Sequence, residues 1–482
     1  PDPPDPNADD AADLLLIVSS YAFGRAPASP PRARSSFARP LMPLRILHIS
    51  TRLILGGSQE NTILSCEGQS RLGHEVHLAF GPIYGPEGSL LQRVENFNAH
   101  LDAARAPIRT HVVPDMVREV SPRRDLRAYW QLRRLIRDLK PDIVHTHSSK
   151  AGILGRLAAW HEFERDPAPG RAGASSPRAR AGLSGRIVHT IHGPPFMPAS
   201  PGERPVAALR RRVNNTVYTL AERWAAKHCH AIVSVADAMT REFLARRIGR
   251  ADQYSTIYSG METGPFLSPA PGEDRSSIRA SLGLAPTDFV VGTVGRLAQH
   301  KGHDDVLDAL RDDLHADESL RLLWVGDGWW KDRLLERARS LGIRPSQIVL
   351  SGLVPPERVP GLVRAMDVLV HPSFREGLPR TVPQAQLCAV VPIAYDCDGT
   401  PEGLIARPWP LDAAAEHSTG ILVPTGDTAR LREAVRWTRA HPAEVAAMGS
   451  RGRAFAAERF GAQTMVDRLD DLYARLLQAP HK

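Results

Sequence analysis

Two successive series of short β-branched runs alternate with amphipathic stretches, and a Pro/Gly-rich break at 265–272 separates them; no other feature limits the fold of this chain as strongly. Strand-like runs at 44–50, 75–80, 142–147, 186–192, 231–235 and 254–258 make up the first series. Runs at 289–294, 321–325, 348–351, 368–370, 391–395 and 420–423 make up the second. Strands that alternate with helices predict parallel sheets covered on both faces. Among the helices, 121–139 is predicted because Leu126, Tyr129, Leu132, Leu135, Ile136 and Leu139 share one face at helical spacing, and Pro141 ends it. Ser58 is expected to cap a helix that reaches Leu72.

The chain has 482 residues, more than one core fills, since single cores stop growing near ~250–300 residues. The expectation is an α/β protein of two Rossmann-like doubly wound domains, 44–262 and 263–460. A final helix over 461–482 is expected to cross back to the first domain. Residues 1–43 are rich in Pro, Ala, Asp and Arg, show no period, and are expected to be a disordered extension; Met42 is a candidate start. Residues 165–186 are expected to form an Arg-rich flexible loop.

Apolar residues make up 42% and charged residues 24%, ordinary values for a chain that buries real cores. Lys and Arg number 61 against 53 Asp and Glu, a balance of +8 that suits phosphates or anionic lipid; part of the excess sits in the stretches 25–39 and 165–186. Nucleic acid is not an expected partner. Cys66, Cys229, Cys388 and Cys397 are scattered, with no paired or zinc-finger spacing, which points to a reduced, cytoplasmic protein. The apolar run 14–18 is far shorter than the ~20 residues that span a bilayer, and neither a signal peptide nor a membrane span is read.

In open parallel sheets ligands bind beyond the carboxyl ends of the strands, so the residues just after each strand carry the information. Gly56 and Gly57 follow the first strand, where missing side chains let backbone N–H groups approach an anion; such a pair also simply permits a tight turn. After 289–294, Arg296 and Lys301 flank the start of the next helix. Two cations there suit a diphosphate, the Arg as a fork and the Lys as a mobile charge, and the plain alternative is a solvated loop. Glu376 follows 368–370 and Gln384 lies eight residues on, both expected at one cleft, where a strong acceptor suits sugar and ribose hydroxyls. Capping of a helix by Glu376 is the alternative.

Taken in order, Gly56-Gly57, the His-Gly-Pro-Pro-Phe run at 192–196, Gly295-Arg296 with Lys301-Gly302, and Glu376-Gly-Leu-Pro resemble the family 4 retaining glycosyltransferases of the GT-B fold, over roughly residues 44–478. The resemblance implies an acceptor side in the first domain and a nucleotide-sugar donor side in the second. It implies that Arg296 and Lys301 hold the donor diphosphate, Glu376 touches the donor sugar, and Gly57 approaches the phosphates when the cleft closes. His192 matches the family histidine near the reacting sugar, and the loop at Leu353 and Val354 corresponds to its nucleobase contact. Where the family has a second glutamate this chain has Gln384, whose amide still accepts a hydrogen bond but without charge. The segment 404–418, with Pro408-Trp-Pro410, departs as well and reads as a surface loop shaping the acceptor side.

The implied activity is transfer of a sugar from a nucleotide-diphosphate sugar to a sugar, polysaccharide or lipid-linked acceptor, in polysaccharide or glycolipid assembly of the cell envelope, with neither metal nor cofactor. An NAD(P)-dependent oxidoreductase and a catalytically silent sugar-nucleotide-binding protein remain as alternatives. Several signals are discounted. Asp396-Cys-Asp398 imitates a metal motif but reads as a turn, His145 and His147 have no evident third metal ligand, and Gly326-Asp-Gly328 is an incomplete dinucleotide fingerprint. The basic helix from Arg204 to Arg223 reads as a solvated face or as a peripheral contact with anionic lipid.

Overall fold

The computed structural model describes residues 43–83, 88–102, 105–164, 185–193, 195–196, 205–413 and 415–479. The extension expected over 1–43 and the loop expected over 165–186 lie outside the described residues, apart from Pro43, Gly185 and Arg186.

Strands β1 (Arg45–Ser50), β2 (Glu75–Phe80), β3 (Arg109–Val112), β4 (Ile143–His147), β5 (Arg186–Ile191), β6 (Ala231–Ser234) and β7 (Tyr254–Thr256) form a parallel sheet ordered β3-β2-β1-β4-β5-β6-β7. Strands β8 (Phe289–Val294), β9 (Leu320–Val325), β10 (Ile348–Gly352), β11 (Val368–His371), β12 (Val391–Asp396), β13 (Ala406–Arg407) and β14 (Gly420–Pro424) form a second, ordered β10-β9-β8-β11-β12-β14-β13. These are the two doubly wound sheets the alternation predicts. Each reverses its strand order once, between β1 and β4 and between β8 and β11, and crevices form at such switch points.

Two strands escape the sequence pattern. β3 is an edge strand with three of its four residues exposed, so it lacks an apolar run. β13 falls inside the segment expected to be a surface loop on the acceptor side. The structure puts that segment instead at the far edge of the second sheet, where Trp409 Nε1 donates to the Leu422 carbonyl at 3.0 Å and Leu411 is buried.

Helix Gly57–Arg71 is buried throughout Asn61–Ser70, because the sheet covers one side and helix Ala462–Gln478 the other. Gly68 makes that second contact possible, since a Cβ there would stand 2.4 Å from Val466 Cγ2. The crossing helix buries Met465, Val466, Leu469, Leu472, Tyr473 and Leu477 against Leu44, Ile46, Leu64, Ile143 and Val188. At ~1.5–3 kcal/mol for each large apolar side chain removed from water, this contact ties the end of the chain firmly to the first sheet. Helix Pro122–Leu139 matches the predicted span, with Ser121 at its N-cap position and Lys140 in a left-handed conformation before Pro141.

Candidate active site

The carboxyl ends of the two sheets face each other across a cleft of about 780 Å³ lined by both halves. Gly56, Gly57 and His192 line it from the first half, and Arg296, Lys301, Leu353, Val354 and Glu376 from the second. Gln384 is the expected site residue that is not among its lining. Helix Thr381–Leu387 starts at the cleft wall with Thr381, and three residues at 1.5 Å rise carry Gln384 about 4.5 Å farther along the axis. The halves touch at Gly377, where a Cβ would stand 2.2 Å from the His192 carbonyl oxygen.

On the second half, β8 leads into Gly295 and Arg296, and a short turn Gln299–Lys301 ends at Gly302, whose φ of 68° and closeness to the Pro372 carbonyl (2.0 Å from a Cβ) admit only glycine. Arg296 is exposed and its guanidinium lies 5.3 Å from the Trp329 ring centre. Lys301 Nζ sits 2.5 Å from Glu376 Oε1, so the two residues read separately in the sequence form one ion pair. His371 Nε2 donates to the same oxygen at 3.1 Å, and the Thr381 hydroxyl reaches His371 Nδ1 at 3.1 Å. Burial alone would raise the Glu376 carboxyl, but Lys301 and His371 outweigh it and hold the group well below the usual carboxylate range. Glu376 is therefore an anion whose backbone N–H is also fixed, by Asp398 Oδ2 at 2.8 Å.

On the first half, Gly56 precedes the helix in an extended conformation (φ −179°, ψ 154°) and no side chain caps it. The expected cap, Ser58, lies one residue inside the helix and bonds Gln59 Oε1 at 2.8 Å instead, because the helix begins at Gly57. An uncapped helix start leaves N–H groups and the positive end of the dipole available to an anion. Arg380 reaches across to this point: its Nη1 is 2.6 Å from Glu60 Oε2, while Nε and Nη2 are buried without a hydrogen-bond partner. His192 Nε2 lies 3.1 Å from His147 Nδ1, and burial, followed by the charge of Arg380, lowers its pKa to about 4.

His371, Thr381, Arg380 and Asp398 are residues at the site to which the sequence reading gave no part in it. All but Asp398 belong to the segment already marked by Glu376, and their roles depend on distances that spacing does not give. Asp398, on a turn residue with φ of 42°, supports Glu376 as described, which accords with turn chemistry rather than a metal motif. Gly326 and Gly328 are explained by packing, since Cβ atoms there would stand 2.1 Å from the Gly295 carbonyl oxygen and 2.3 Å from that of Leu297. His145 and His147 do acquire a neighbouring third imidazole, His48 of β1.

Residues 55–264 match the family described as Glycosyltransferase Family 4, and residues 274–455 match Glycosyl transferases group 1. The UDP-Gal:alpha-D-GlcNAc-diphosphoundecaprenol alpha-1,3-galactosyltransferase of Escherichia coli is 27% identical over 61% of this chain and 67% of its own length. The 2-deoxystreptamine glucosyltransferase of Streptomyces kanamyceticus is 26% identical over 52% of this chain and 62% of its length, so the match spans about two thirds of such relatives or less. The crystal structure of Anabaena HepE in complex with UDP and glucose superimposes with a TM-score of 0.66 at 18% identity, covering 89% of this chain and 99% of that one, a likeness of fold. Two family matches in sequence order, laid over two facing Rossmann-like sheets, place the chain in family 4 of the glycosyltransferases, with the GT-B fold.

Proposed function

We propose that the protein transfers a sugar, with retention of anomeric configuration and without metal or cofactor, from a nucleotide-diphosphate sugar to an acceptor hydroxyl. The observation that carries this reading is the Lys301–Glu376 pair at the mouth of the second sheet, facing an uncapped helix start across the shared cleft. Arg296, Lys301 and the helix start at Gly57 supply positive field where charge grows on the departing diphosphate, and Glu376 accepts hydrogen bonds from the sugar. The bond from the anomeric carbon to the phosphate oxygen breaks with its electron pair on the diphosphate. The acceptor oxygen then bonds that carbon and gives its proton to the departing diphosphate. Leu353 and Val354 border the place for the base, and a uridine nucleotide is the first to test, because the E. coli relative is named for UDP-Gal and HepE was solved with UDP.

A polysaccharide or lipid-linked acceptor of the cell envelope fits the same reading, with the enzyme at the inner face of the membrane. No helix among the described residues is long and apolar enough to cross a bilayer. Helix Pro205–Lys227, however, exposes Val206, Leu209, Val213, Val217, Leu220 and Trp224 along one stripe beside Arg210, Arg211 and Arg212, a pattern that suits lying on an anionic surface.

Hydrolysis of a panel of UDP-, GDP- and ADP-sugars without acceptor, with the released anomer read by NMR, tests the proposal. One donor is expected to be cleaved, to the retained anomer, and Arg296→Ala should slow it ~10²–10³-fold. Cleavage of none, an inverted product, or an undiminished rate in the variant would each contradict part of the reading. Cosedimentation with phosphatidylglycerol but not phosphatidylcholine vesicles is expected, and equal binding to neither would remove the membrane contact.

A further inference from the structure

Behind His192 the first sheet holds an uninterrupted file of hydrogen-bonding side chains that returns to the cleft. His192 Nε2 meets His147 Nδ1 at 3.1 Å, His147 Nε2 meets His48 Nδ1 at 2.9 Å, and His48 Nε2 meets Gln69 Oε1 at 2.7 Å. Gln69 Nε2 donates to the Tyr473 hydroxyl at 3.3 Å, which lies 2.5 Å from His145 Nδ1, and His145 Nε2 lies 2.6 Å from Thr190 Oγ1. Thr190 and His192 both line the cleft, while His48, His145, His147 and Gln69 are fully buried. Burial holds all four imidazoles neutral at neutral pH.

A neutral imidazole has one donor and one acceptor nitrogen, so such a file runs in one direction only. The Gln69 carbonyl can only accept, which puts the proton of His48 on Nε2. His48 Nδ1 is then an acceptor, so His147 is protonated on Nε2, and by the same step so is His192. In the other branch the Gln69 amide donates to Tyr473, Tyr473 donates to His145 Nδ1, and His145 Nε2–H donates to Thr190. Rotating the single Gln69 amide by half a turn would reverse every one of these bonds.

We propose that Gln69 of the first helix and Tyr473 of the crossing helix, both fully buried, are positioning residues that act through His48 and His147 to hold His192 as the Nε2–H tautomer, leaving Nδ1 to accept a hydrogen bond from a sugar hydroxyl. The last clause rests on the transferase reading; the tautomer does not. A metal site is the competing use of the cluster, since ligand nitrogens of His48, His145 and His147 lie within 4.8 Å of one another. Yet all six of their ring nitrogens already have partners within 3.1 Å, and the group contains no carboxylate to offset a dication in a fully buried place.

The test uses the full chain with ¹⁵N-labelled histidine, long-range ¹H–¹⁵N spectra at neutral pH, and assignment by single histidine variants. His48, His147 and His192 are expected as Nε2–H tautomers. Gln69→Met is expected to leave His192 a mixture of tautomers and to lower kcat on the order of 10-fold, the scale on which partners that fix a histidine's tautomer act elsewhere, with KM for the donor nearly unchanged. Tyr473→Phe should move both readouts the same way and serves if Gln69→Met does not fold. A His192 protonated on Nδ1 or on both nitrogens in the unaltered protein, or an unchanged tautomer in both variants, overturns the proposal. So does a zinc-induced shift of His48, His145 and His147 together. The expected spectra without turnover of any nucleotide-sugar would retain the file and reject the transferase reading, whereas turnover indifferent to the tautomer change would reject the positioning role alone.

Discussion

The two walls of the cleft are built from opposite chemistry. The wall of the first half rests on imidazoles: His189 and His192 line it, His48, His145 and His147 lie buried behind them near β1, β4 and β5, and burial lowers the pKa of every one, while the acidic lining residue Glu222 is paired with buried Arg156. The wall of the second half is ionised, with Lys301 against Glu376 and Arg296 at the rim. A reaction that separates charge needs fixed charge only where charge develops; on the other side, oriented neutral dipoles avoid a competing field. On the proposed reading, leaving-group stabilisation falls to the second half and hydrogen-bond orientation to the first.

Acid should break the comparison most severely. Each histidine lowered from 6.5 takes up its proton in the unfolded chain before the folded one, so its contribution is complete above about 6.5 and is lost as pH falls toward about 4. Glu376, lowered from 4.5, loses its contribution only below that value. The second half has His300 and His303, lowered to about 4 and about 3, against five converging in the first. Hydrogen exchange followed by mass spectrometry from pH 7 to 4 should therefore show protection lost first in β1, β4 and β5. Earlier loss in β8 and β11 would refute this.

Lys301→Ala comes next, with an expected fall of ~10²–10³ in kcat, about 2.7–4 kcal/mol, because on the proposed reading it removes a cation from the diphosphate, and it leaves Glu376 only His371 as a side-chain donor among the described residues. A rise in KM at constant kcat would instead make Lys301 a ground-state contact. Gly377→Ala probes where the walls meet. A methyl group 2.2 Å from the His192 carbonyl oxygen forces the halves apart, and ~1–3 kcal/mol is expected in a denaturation midpoint, with slower turnover. Unchanged stability would mean that the contact is not held in solution.

Much of this was legible in the sequence, and what escaped has a common cause. Strand positions and Gly56, Gly57, Arg296, Lys301 and Glu376 follow from β-branched runs and from the rule that ligands sit beyond strand ends. The Lys301–Glu376 pair did not follow, because these two residues, 75 apart in sequence, come together only through the crossover that makes β8 and β11 neighbours. The histidine file is less legible still. It joins β1, β4, the end of β5, the first helix and the crossing helix, and His145-Thr-His147 read locally suggests only a pair. Ser58 failed as a cap through a one-residue difference in where the helix starts, and Gln384 lies outside the cleft lining because three residues separate it from Thr381 along a helix axis.

The smallest expected effect concerns the bridge between the walls. Arg380 belongs to the second half yet pairs with Glu60 of the first at 2.6 Å, and both side chains are mostly buried. Glu60 also has Arg93 at 3.9 Å, so removing Arg380 does not strand its charge entirely. A double-mutant cycle of Glu60→Gln and Arg380→Gln should give a coupling of about 1 kcal/mol, near the upper end for partly exposed pairs. The asymmetry between the singles is the informative part. Arg380→Gln also removes the unpartnered Nε and Nη2 donors beside the Gly57 helix start, so it should raise KM for the donor more than Glu60→Gln does. Equal KM values in the two single variants would reduce Arg380 to a strut between the halves and return anion binding to Arg296, Lys301 and the helix start alone.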